Sequence, residues 1–321
     1  MTRILVTGGA GFIGNHLISE LLSDKENEII CMDNLDPFYS IKQKDINIKS
    51  FFNNPNFKFI NGDIRNNADL NQIGSIDKIV HLAAKAGIRP SIDNAYLYYE
   101  VNVLGTQRLI DYAIKYNVKQ FVFASSSSVY GINKNLPWEE EDITQPISPY
   151  ASSKLSAESI GYVASHLYGI RFIALRLFTV YGPGQRPDLA IYKFVQASLK
   201  KKKIRIYGDG SSSRDYTYVK DVVNGIIQAM NYDLSLFEII NIGNSKQVTL
   251  LELVKAIECL TDSSIKVEFL PEQPGDAPHT CGNIIKAQHL LNYYPATKLS
   301  EGLKLFYSWF KGNIPINDSE H

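Results

Sequence analysis

The stretch that decides the fold is RILVTGGAGFIG, residues 3–14. Its first five residues form a short apolar run typical of a buried strand, and an apolar-periodic helix pattern follows the glycines. The glycines fit G-x-G-x-x-G as Gly9, Gly11 and Gly14, and a parallel spacing begins at Gly8. Small residues in such a turn permit a tight bend, close approach of the backbone to a pyrophosphate, and close packing of helix on strand.

A second strand pattern, residues 28–33, ends in an acidic residue about 20 residues beyond the glycines. In this arrangement the carboxylate of Asp33 is expected to bind the adenosine ribose hydroxyls and to repel a 2′-phosphate. The residues that follow are Asn34-Leu35-Asp36, without an arginine. The pattern therefore predicts a site for NAD rather than NADP. A purely structural glycine-rich turn is the alternative.

Strand and helix patterns alternate through the first half of the chain. Further strands are expected at 57–61, 78–82, 120–125 and 171–177, and long helices at 95–116 and 152–168. This alternation predicts the α/β class, with a Rossmann-type, doubly wound parallel sheet covered by helices on both faces. Ligands of such sheets bind at the carboxyl ends of the strands. Asp63, Ala83, Ser126 and Phe178 fall at these ends.

The sequence pattern changes after about Tyr181, where proline and glycine residues separate shorter predicted strands and helices. We expect residues 1–180 to form the NAD-binding domain, to which the chain crosses back from its C-terminal half. Residues 181–321 are expected to form a smaller, mixed α/β lobe that binds the substrate.

Composition limits the partners. The 321 residues contain 33 Lys+Arg and 33 Asp+Glu, and this balance argues against nucleic acid. Three scattered cysteines indicate free thiols in a reducing compartment, and no His or Cys pair has metal-ligand spacing. There is no apolar run of membrane-spanning length, and the first strand pattern begins too early to leave room for a signal peptide. The sequence therefore predicts a cytoplasmic protein without a metal or a membrane partner.

The chemistry is indicated by YASSK, residues 150–154, and by the serine run at 125–128. Residues four apart on a helix share one face, so Tyr150 and Lys154 point into the same space. The ammonium is expected to lower the pKa of the phenol from its usual value of about 10. Such a phenol moves a proton on and off a hydroxyl, as redox chemistry at a carbinol carbon requires. His81 is expected to be a packed histidine rather than a catalytic one.

Together these features resemble the extended short-chain dehydrogenases/reductases, specifically the NAD-dependent UDP-sugar 4-epimerases. The resemblance runs from residue 3 to about residue 310. The matching blocks are VTGGAGFIG (6–14), HLAA (81–84), ASSSSVYG (124–131), YASSK (150–154), LRLFTVYGP (175–183), SRDYTYVKDVV (213–223), NIGN (241–244) and QPGD (273–276).

The resemblance implies that Tyr150 is the acid/base, that Lys154 is its electrostatic partner and ribose clamp, and that Ser126 hydrogen-bonds the reacting sugar hydroxyl. It places Asn102 in the structural shell behind the site. The candidate cofactor-binding residues are Gly8, Gly11, Phe12, Ile13, Gly14, Asp33, Asn34, Asp63, Ile64, Leu82, Ala83, Ala84, Lys85, Tyr150, Lys154 and Phe178. The candidate substrate-binding residues are Arg89, Ser126, Ser127, Thr179, Arg186, Tyr192, Tyr207, Arg214 and Asp276.

The individual substrate-binding assignments rest on different arguments. Arg214 and Asp276 match positions that hold the UDP moiety in the family. Tyr207 and Tyr192 are candidates to flank the uracil, with core packing as the alternative. Arg186, with Thr179, is proposed to hold a uronate carboxylate, because arginine pairs with carboxylates in a bidentate manner. A contact with the diphosphate or a surface contact is the alternative for Arg186.

The serine run separates the possible reactions. Sugar dehydratases of this family place an Asp-Glu pair after the Ser/Thr, and UDP-glucuronate decarboxylases usually carry Glu before Val-Tyr-Gly. Ser127 and Ser128 occupy those places here. The resemblance therefore implies 4-epimerisation through a transient 4-keto sugar.

TVYGP (179–183) followed by QRPD (185–188) is most similar to the UDP-glucuronate 4-epimerases, whose product is UDP-galacturonate. A UDP-glucose/UDP-galactose or N-acetylhexose 4-epimerase is the first alternative, and a nucleotide-sugar reductase or a non-catalytic NAD-sensing protein is the second. The family usually dimerises through two helices, here 95–116 and 152–168, which implies a homodimer.

Overall fold

A computed structural model describes residues 1–271, 275 and 277–313. Its core is a seven-stranded sheet in the order β10-β6-β5-β4-β1-β2-β3, in which all neighbouring strands are parallel. The strands are β1 (Thr2–Thr7), β2 (Asn27–Asp33), β3 (Phe57–Asn61), β4 (Lys78–His81), β5 (Gln120–Ser126), β6 (Arg171–Leu177), β7 (Thr179–Tyr181), β8 (Ile204–Tyr207), β9 (Ser213–Tyr218), β10 (Phe237–Ile242), β11 (Gln247–Thr249) and β12 (Val267–Leu270).

Helices cover both faces of this sheet. They are α1 (Phe12–Leu21), α2 (Ile41–Lys49), α3 (Asn67–Leu70), α4 (Ile88–Asp93), α5 (Ala95–Tyr99), α6 (Gly105–Lys115), α7 (Pro149–Tyr168), α8 (Ala190–Leu199), α9 (Val219–Met230), α10 (Leu250–Thr261), α11 (Ile285–Leu291) and α12 (Leu299–Asn313). The Rossmann-type α/β class predicted from the sequence is confirmed.

Side chains of successive strand residues enter two different cores. On β1, Ile4 and Val6 pack into one hydrophobic cluster, and Leu5 packs into the cluster on the opposite face. All three are at most 2% exposed. A strand buried on both faces needs a continuous apolar run, which explains why the sequence shows one rather than an alternating pattern.

The strand order places the site. From β1 the chain proceeds outward through β2 and β3, and then returns to the other side of β1 with β4. The loops after β1 and β4 therefore diverge and leave a crevice at the carboxyl ends of these strands, where ligands of doubly wound sheets bind. β10 adds the edge strand next to β6, so the chain does cross back from its C-terminal half.

Two small sheets, β7-β9-β11 and β8-β12, lie outside the main sheet.

The bounds of two helices differ from those predicted from the sequence. The helix expected at 95–116 is divided by a π-helical turn, Glu100–Leu104, between α5 and α6. The helix expected to begin at residue 152 begins at Pro149, because the Ser148 hydroxyl accepts a hydrogen bond from the amide of Ala151 and caps it. Tyr150 thus lies inside the first turn of α7.

None of the helices in the described part of the chain has both the length and the apolar character that crossing a bilayer requires. In the same part of the chain, no three His, Cys, Asp or Glu side chains are grouped so that they hold a metal ion.

Candidate active site

A cavity of about 1330 Å³ opens at the carboxyl ends of β1 and β4 and extends toward the small sheets. It brings together nearly all of the residues that the sequence predicted for the site. Of the predicted residues that the structure describes, Tyr192 is the exception, because its ring packs against Phe306 and Phe310, with 4.9 Å between ring centroids in the second pair. Asp276 lies outside the described residues.

The glycine turn after β1 leaves no space for side chains. Gly8 has φ +71°, and a Cβ on it would lie 2.7 Å from the backbone nitrogen of Ala83. A Cβ on Gly14 would lie 2.5 Å from the carbonyl oxygen of Gly8. Gly11 precedes α1 as its N-cap and has no side chain to occupy the first amides of the helix. The turn thus presents a helix N-terminus to the cavity, which suits a phosphate group.

Asp33 ends β2 beside this turn and is buried. Its carboxylate accepts hydrogen bonds from the amides of Ala10 (3.2 Å) and Leu35 (2.8 Å). Burial raises the pKa of Asp33, and the ammonium of Lys44, 4.0 Å away, partly opposes this. Sequence reasoning missed Lys44, because nothing distinguishes it from the other lysines of the polar α2 or shows that it is buried against the cavity.

The rim near β3 is a second charged cluster. Arg65 donates two hydrogen bonds to Asp63, of 2.9 and 2.7 Å, and holds the pKa of that carboxyl at about 2. The amide of Asn34 also donates to Asp63, at 3.0 Å. Lys85 donates to Asp36 at 2.6 Å across the same rim. These predicted residues therefore lie around the cavity with their side chains already held in place.

The three candidate catalytic residues converge at the inner end of the cavity. Ser126 ends β5, and its hydroxyl accepts hydrogen bonds from the amide (3.2 Å) and the hydroxyl (2.9 Å) of Ser128. The Ser126 side chain also acts on the phenol of Tyr150 and lowers its pKa. The ammonium of Lys154 donates to the carbonyl of Ala124 at 2.7 Å and lies 4.8 Å from the centroid of the Phe123 ring.

The expectation that Lys154 lowers the pKa of Tyr150 is wrong in this structure. Burial raises the pKa of the phenol, and the Ser126 side chain and the charge of Arg186 lower it only in part. Burial also lowers the pKa of Lys154 to about 7, against the opposing effect of Glu158. Desolvation thus dominates both groups, because each must lose its hydration when charged.

A shell of hydrogen bonds supports α7 from behind. Asn102, in the π-helical turn, donates to the hydroxyl of Ser153 (2.9 Å) and to the carbonyl of Lys85 (3.0 Å). The Ser153 hydroxyl donates in turn to the carbonyl of Tyr150 at 2.7 Å. This agrees with the structural role expected for Asn102. His81 is buried between two threonine hydroxyls, and burial lowers its pKa to about 3, which confirms a packed, neutral histidine.

Cationic and aromatic side chains line the outer part of the cavity. Arg186 donates two hydrogen bonds of 2.8 Å to Asp188 and lies over the ring of Phe38. The guanidinium of Arg89 lies 4.5 Å from the centroid of the Tyr207 ring. Ser127, Thr179 and Arg214 also line the cavity, and Arg214 donates to the carbonyls of Ser213 and Pro278.

Taken with the parallel sheet, this arrangement defines a dinucleotide-binding enzyme of the short-chain dehydrogenase type, with a serine, tyrosine and lysine beside the cofactor crevice. The comparison with protein families is more specific. The model of the NAD dependent epimerase/dehydratase family matches residues 4–243, and the chain belongs to this family.

Individual relatives match the chain along nearly its whole length. The UDP-glucuronate 4-epimerase of Thermodesulfobacterium geofontis is 37% identical over 321 residues, which cover 98% of both chains. The structure of the UDP-glucuronic acid 4-epimerase of Bacillus cereus with UDP-glucuronic acid and NAD superposes with a TM-score of 0.92 at 36% identity, covering 97% of this chain and 99% of that one. The UDP-N-acetylglucosamine 4-epimerase of Methanobrevibacter ruminantium gives 0.89 at 33% identity, covering 98% and 99%.

Proposed function

We propose that this protein is an NAD-dependent UDP-sugar 4-epimerase and that its substrate is UDP-glucuronate. The observation that carries the proposal is the convergence of Ser126, Tyr150 and Lys154 on one cavity that the glycine turn and Arg186 also line. The relatives named UDP-glucuronate 4-epimerase support the same reaction.

The residues at the turn fit NAD. Gly8 and Gly14 leave room for a close backbone approach, and the first amides of α1 suit its diphosphate. Asp33 offers a carboxylate for a ribose diol. Bound in this place, NAD would accept a hydride from the sugar carbon and return it to the other face.

The chain's own residues handle the proton. Tyr150 takes the proton of the sugar 4-hydroxyl as that carbon is oxidised, and it returns the proton when the 4-keto sugar is reduced. Ser126 holds the same hydroxyl. Because burial raises the pKa of the phenol, its deprotonation needs positive neighbours. Arg186 is such a neighbour, because its charge already lowers the pKa of Tyr150.

The choice of sugar depends on Arg186. Its guanidinium forms a two-bond pair with the carboxylate of Asp188, and a uronate carboxylate has the same geometry. Thr179 lines the same cavity and adds a hydroxyl donor. An epimerase for N-acetylated sugars gives a TM-score close to that of the glucuronate enzyme, so overall similarity does not separate the substrates.

Product analysis by proton NMR tests the function. The protein is mixed with NAD and, separately, with UDP-glucuronate, UDP-glucose and UDP-N-acetylglucosamine. We expect conversion of the glucuronate to the galacturonate form, without accumulation of NADH. Conversion of the neutral sugars alone would leave the reaction intact and refute the substrate. Steady NADH formation would indicate a dehydrogenase instead.

The variant Arg186→Gln separates the proposed binding of the uronate carboxylate from the effect of the guanidinium on Tyr150. A charge-assisted bidentate pair contributes about 1.5–3 kcal/mol, so the ratio of kcat/KM for UDP-glucuronate to that for UDP-glucose should fall about 10- to 100-fold. Using the ratio removes any common effect on Tyr150. Arg186→Lys is the matched control, because it keeps the positive charge and loses the two parallel N–H donors. An unchanged ratio in Arg186→Gln would contradict the carboxylate role.

The homodimer expected from the sequence also belongs to the proposal. Leu104, next to α6, and Val163 and Leu167 on α7 are 58%, 51% and 62% exposed. Exposed apolar side chains on two neighbouring helices are typical of a subunit interface. A second copy of the chain is the partner we infer for them. The cytoplasmic localisation stays a prediction.

A further inference from the structure

Behind the reacting groups lies a buried charge cluster that the proposed mechanism does not use. Arg176 on β6 donates to both carboxylate oxygens of Glu158 on α7, at 3.1 and 2.9 Å. The hydroxyl of Ser125 on β5 donates to the same carboxylate. All three residues are at most 3% exposed. We call these three residues the Glu158 cluster.

The cluster joins the two elements that carry the candidate catalytic residues. Glu158 follows Lys154 by one helical turn, so both side chains face β5. There, Lys154 donates to the carbonyl of Ala124, and Glu158 accepts from Ser125, the next residue. Ser126 follows immediately. Two adjacent hydrogen bonds therefore connect the catalytic face of α7 to the strand end that presents Ser126.

Arg176 extends the connection to the loop that leads into α7. It is the direct strand partner of Ser125 in the β5–β6 register. Its guanidinium also donates to the carbonyl of Glu140 at 3.1 Å and lies 4.7 Å from the centroid of the Tyr130 ring. The loop that contains Glu140 ends at the cap of α7, just before Tyr150.

A buried ion pair of this kind adds little net stability, because the cost of desolvating both charges offsets their attraction. Well-packed apolar side chains would hold the same elements together. What they would not supply is a directional bond to Ser125 and a fixed negative charge one turn from Lys154. The distances therefore point to a role in positioning rather than in stability.

We propose that Glu158 and Ser125 are positioning residues that fix Ser126 and Lys154 relative to Tyr150. The proposal rests on the catalytic roles given above to these three residues. A displacement of about 1 Å in a reacting group costs up to about 100-fold in rate, so loosening the cluster should lower kcat and leave substrate binding nearly unchanged.

The charge of Glu158 gives the proposal a second readout. Among the described residues, the ionisable groups whose electrostatic effects involve Lys154 are Glu158 on its own helix and His81 on β4. Arg176 acts through its ion pair with Glu158. His81 is neutral, and Glu158 raises the pKa of Lys154 against burial. Without that charge the ammonium loses its proton at lower pH, so the alkaline limb of the activity profile moves down.

The test compares Ser125→Ala, which keeps the ion pair, with Glu158→Gln. In Ser125→Ala we expect kcat to fall about 10-fold, with KM within 2-fold and a melting temperature lower by no more than about 5 °C, since one buried hydrogen bond is lost. Glu158→Gln should lose more activity and move the alkaline limb by at least half a pH unit, an effect that a merely structural role does not produce. If this variant does not fold, Ser125→Ala still decides the question.

The double variant Glu158→Gln/Arg176→Met is the control for an unpaired buried arginine. If the double variant folds like the wild type and keeps a reduced kcat, the cluster acts on catalysis. A wild-type kcat in the double variant or in Ser125→Ala overturns the proposal. Tyr150→Phe distinguishes this failure from that of the proposed function. Activity in Tyr150→Phe would refute the catalytic roles themselves, whereas an inactive Tyr150→Phe with a fully active Ser125→Ala would refute only the positioning role.

Discussion

The charge of Lys154 makes a quantitative prediction about stability. Its side chain is buried, and burial lowers its pKa from 10.5 to about 7. The folded chain thus binds this proton more weakly than the unfolded chain. At about 1.4 kcal/mol for each pH unit, the difference corresponds to about 5 kcal/mol that opposes folding. The penalty is complete below pH 7, decreases as the pH rises, and vanishes above pH 10.5.

Lys154→Met removes the charge and keeps an unbranched side chain of similar length. It also leaves the Ala124 carbonyl, which accepts at 2.7 Å, without this partner, at a cost of about 1–3 kcal/mol. The net gain at pH 7 should therefore be about 2–4 kcal/mol. With an unfolding entropy of about 2.1 cal/mol/K per residue, a chain of 321 residues should melt about 3–6 °C higher. The variant should also lose at least 100-fold in kcat.

The assay is urea denaturation of both proteins from pH 6 to pH 10, at several NAD concentrations extrapolated to zero, because a ligand of the folded state adds its own stabilisation. The advantage of Lys154→Met should shrink as the pH rises. Lys304→Met, at an exposed position of α12, is the control and should show no such trend. A variant less stable than the wild type at pH 7, or an advantage that does not depend on pH, would refute the reasoning.

Three further predictions address other parts of the molecule. His81 has a pKa lowered to about 3, so the free energy of unfolding should fall by up to about 5 kcal/mol as the pH drops from 6.5 toward 3, and His81→Asn should lack this dependence in urea titrations. Gly14→Ala places a Cβ 2.5 Å from the Gly8 carbonyl and should weaken NAD binding at least 10-fold by calorimetry; wild-type affinity would contradict the close fit. Val163→Asp should yield monomers in light scattering, whereas Ile143→Asp, equally polar at a more exposed site, should not.

Much of the fold was predictable from local pattern. The strands at 57–61 and 171–177 have the predicted bounds, because each is an apolar run that ends at a polar or turn residue. The break in the helix at 95–116 was not predictable. The Asn102 hydrogen bonds with Lys85 and Ser153 that accompany the π-helical turn join residues distant in sequence, so local apolar spacing does not reveal them.

The residues of the candidate site also fall into those that the sequence predicts and those that it does not. Residues at the carboxyl ends of parallel strands meet by topology alone, so the strand pattern was enough to predict that Asp33, Ala83 and Ser126 lie together. Lys44 was missed because nothing in its polar surroundings shows that it is buried. Arg176 was missed because its apolar strand predicts burial but not its ion pair with Glu158, 18 residues away in the sequence. The pKa of Tyr150 was predicted in the wrong direction for a related reason: charge spacing is visible in a sequence, whereas desolvation is a property of the folded chain.

Desolvation also sets the charge of the lysine one helical turn from Tyr150. An exposed lysine keeps its proton at neutral pH. Burial brings the pKa of Lys154 to about 7, where gaining or losing a proton costs little. If burial acted alone, it would carry the pKa lower still and leave the amine neutral, but Glu158 opposes it from one helical turn away. The folding penalty of Lys154 and the buried pair behind it are therefore two parts of one arrangement, which keeps part of the Lys154 population charged near neutral pH.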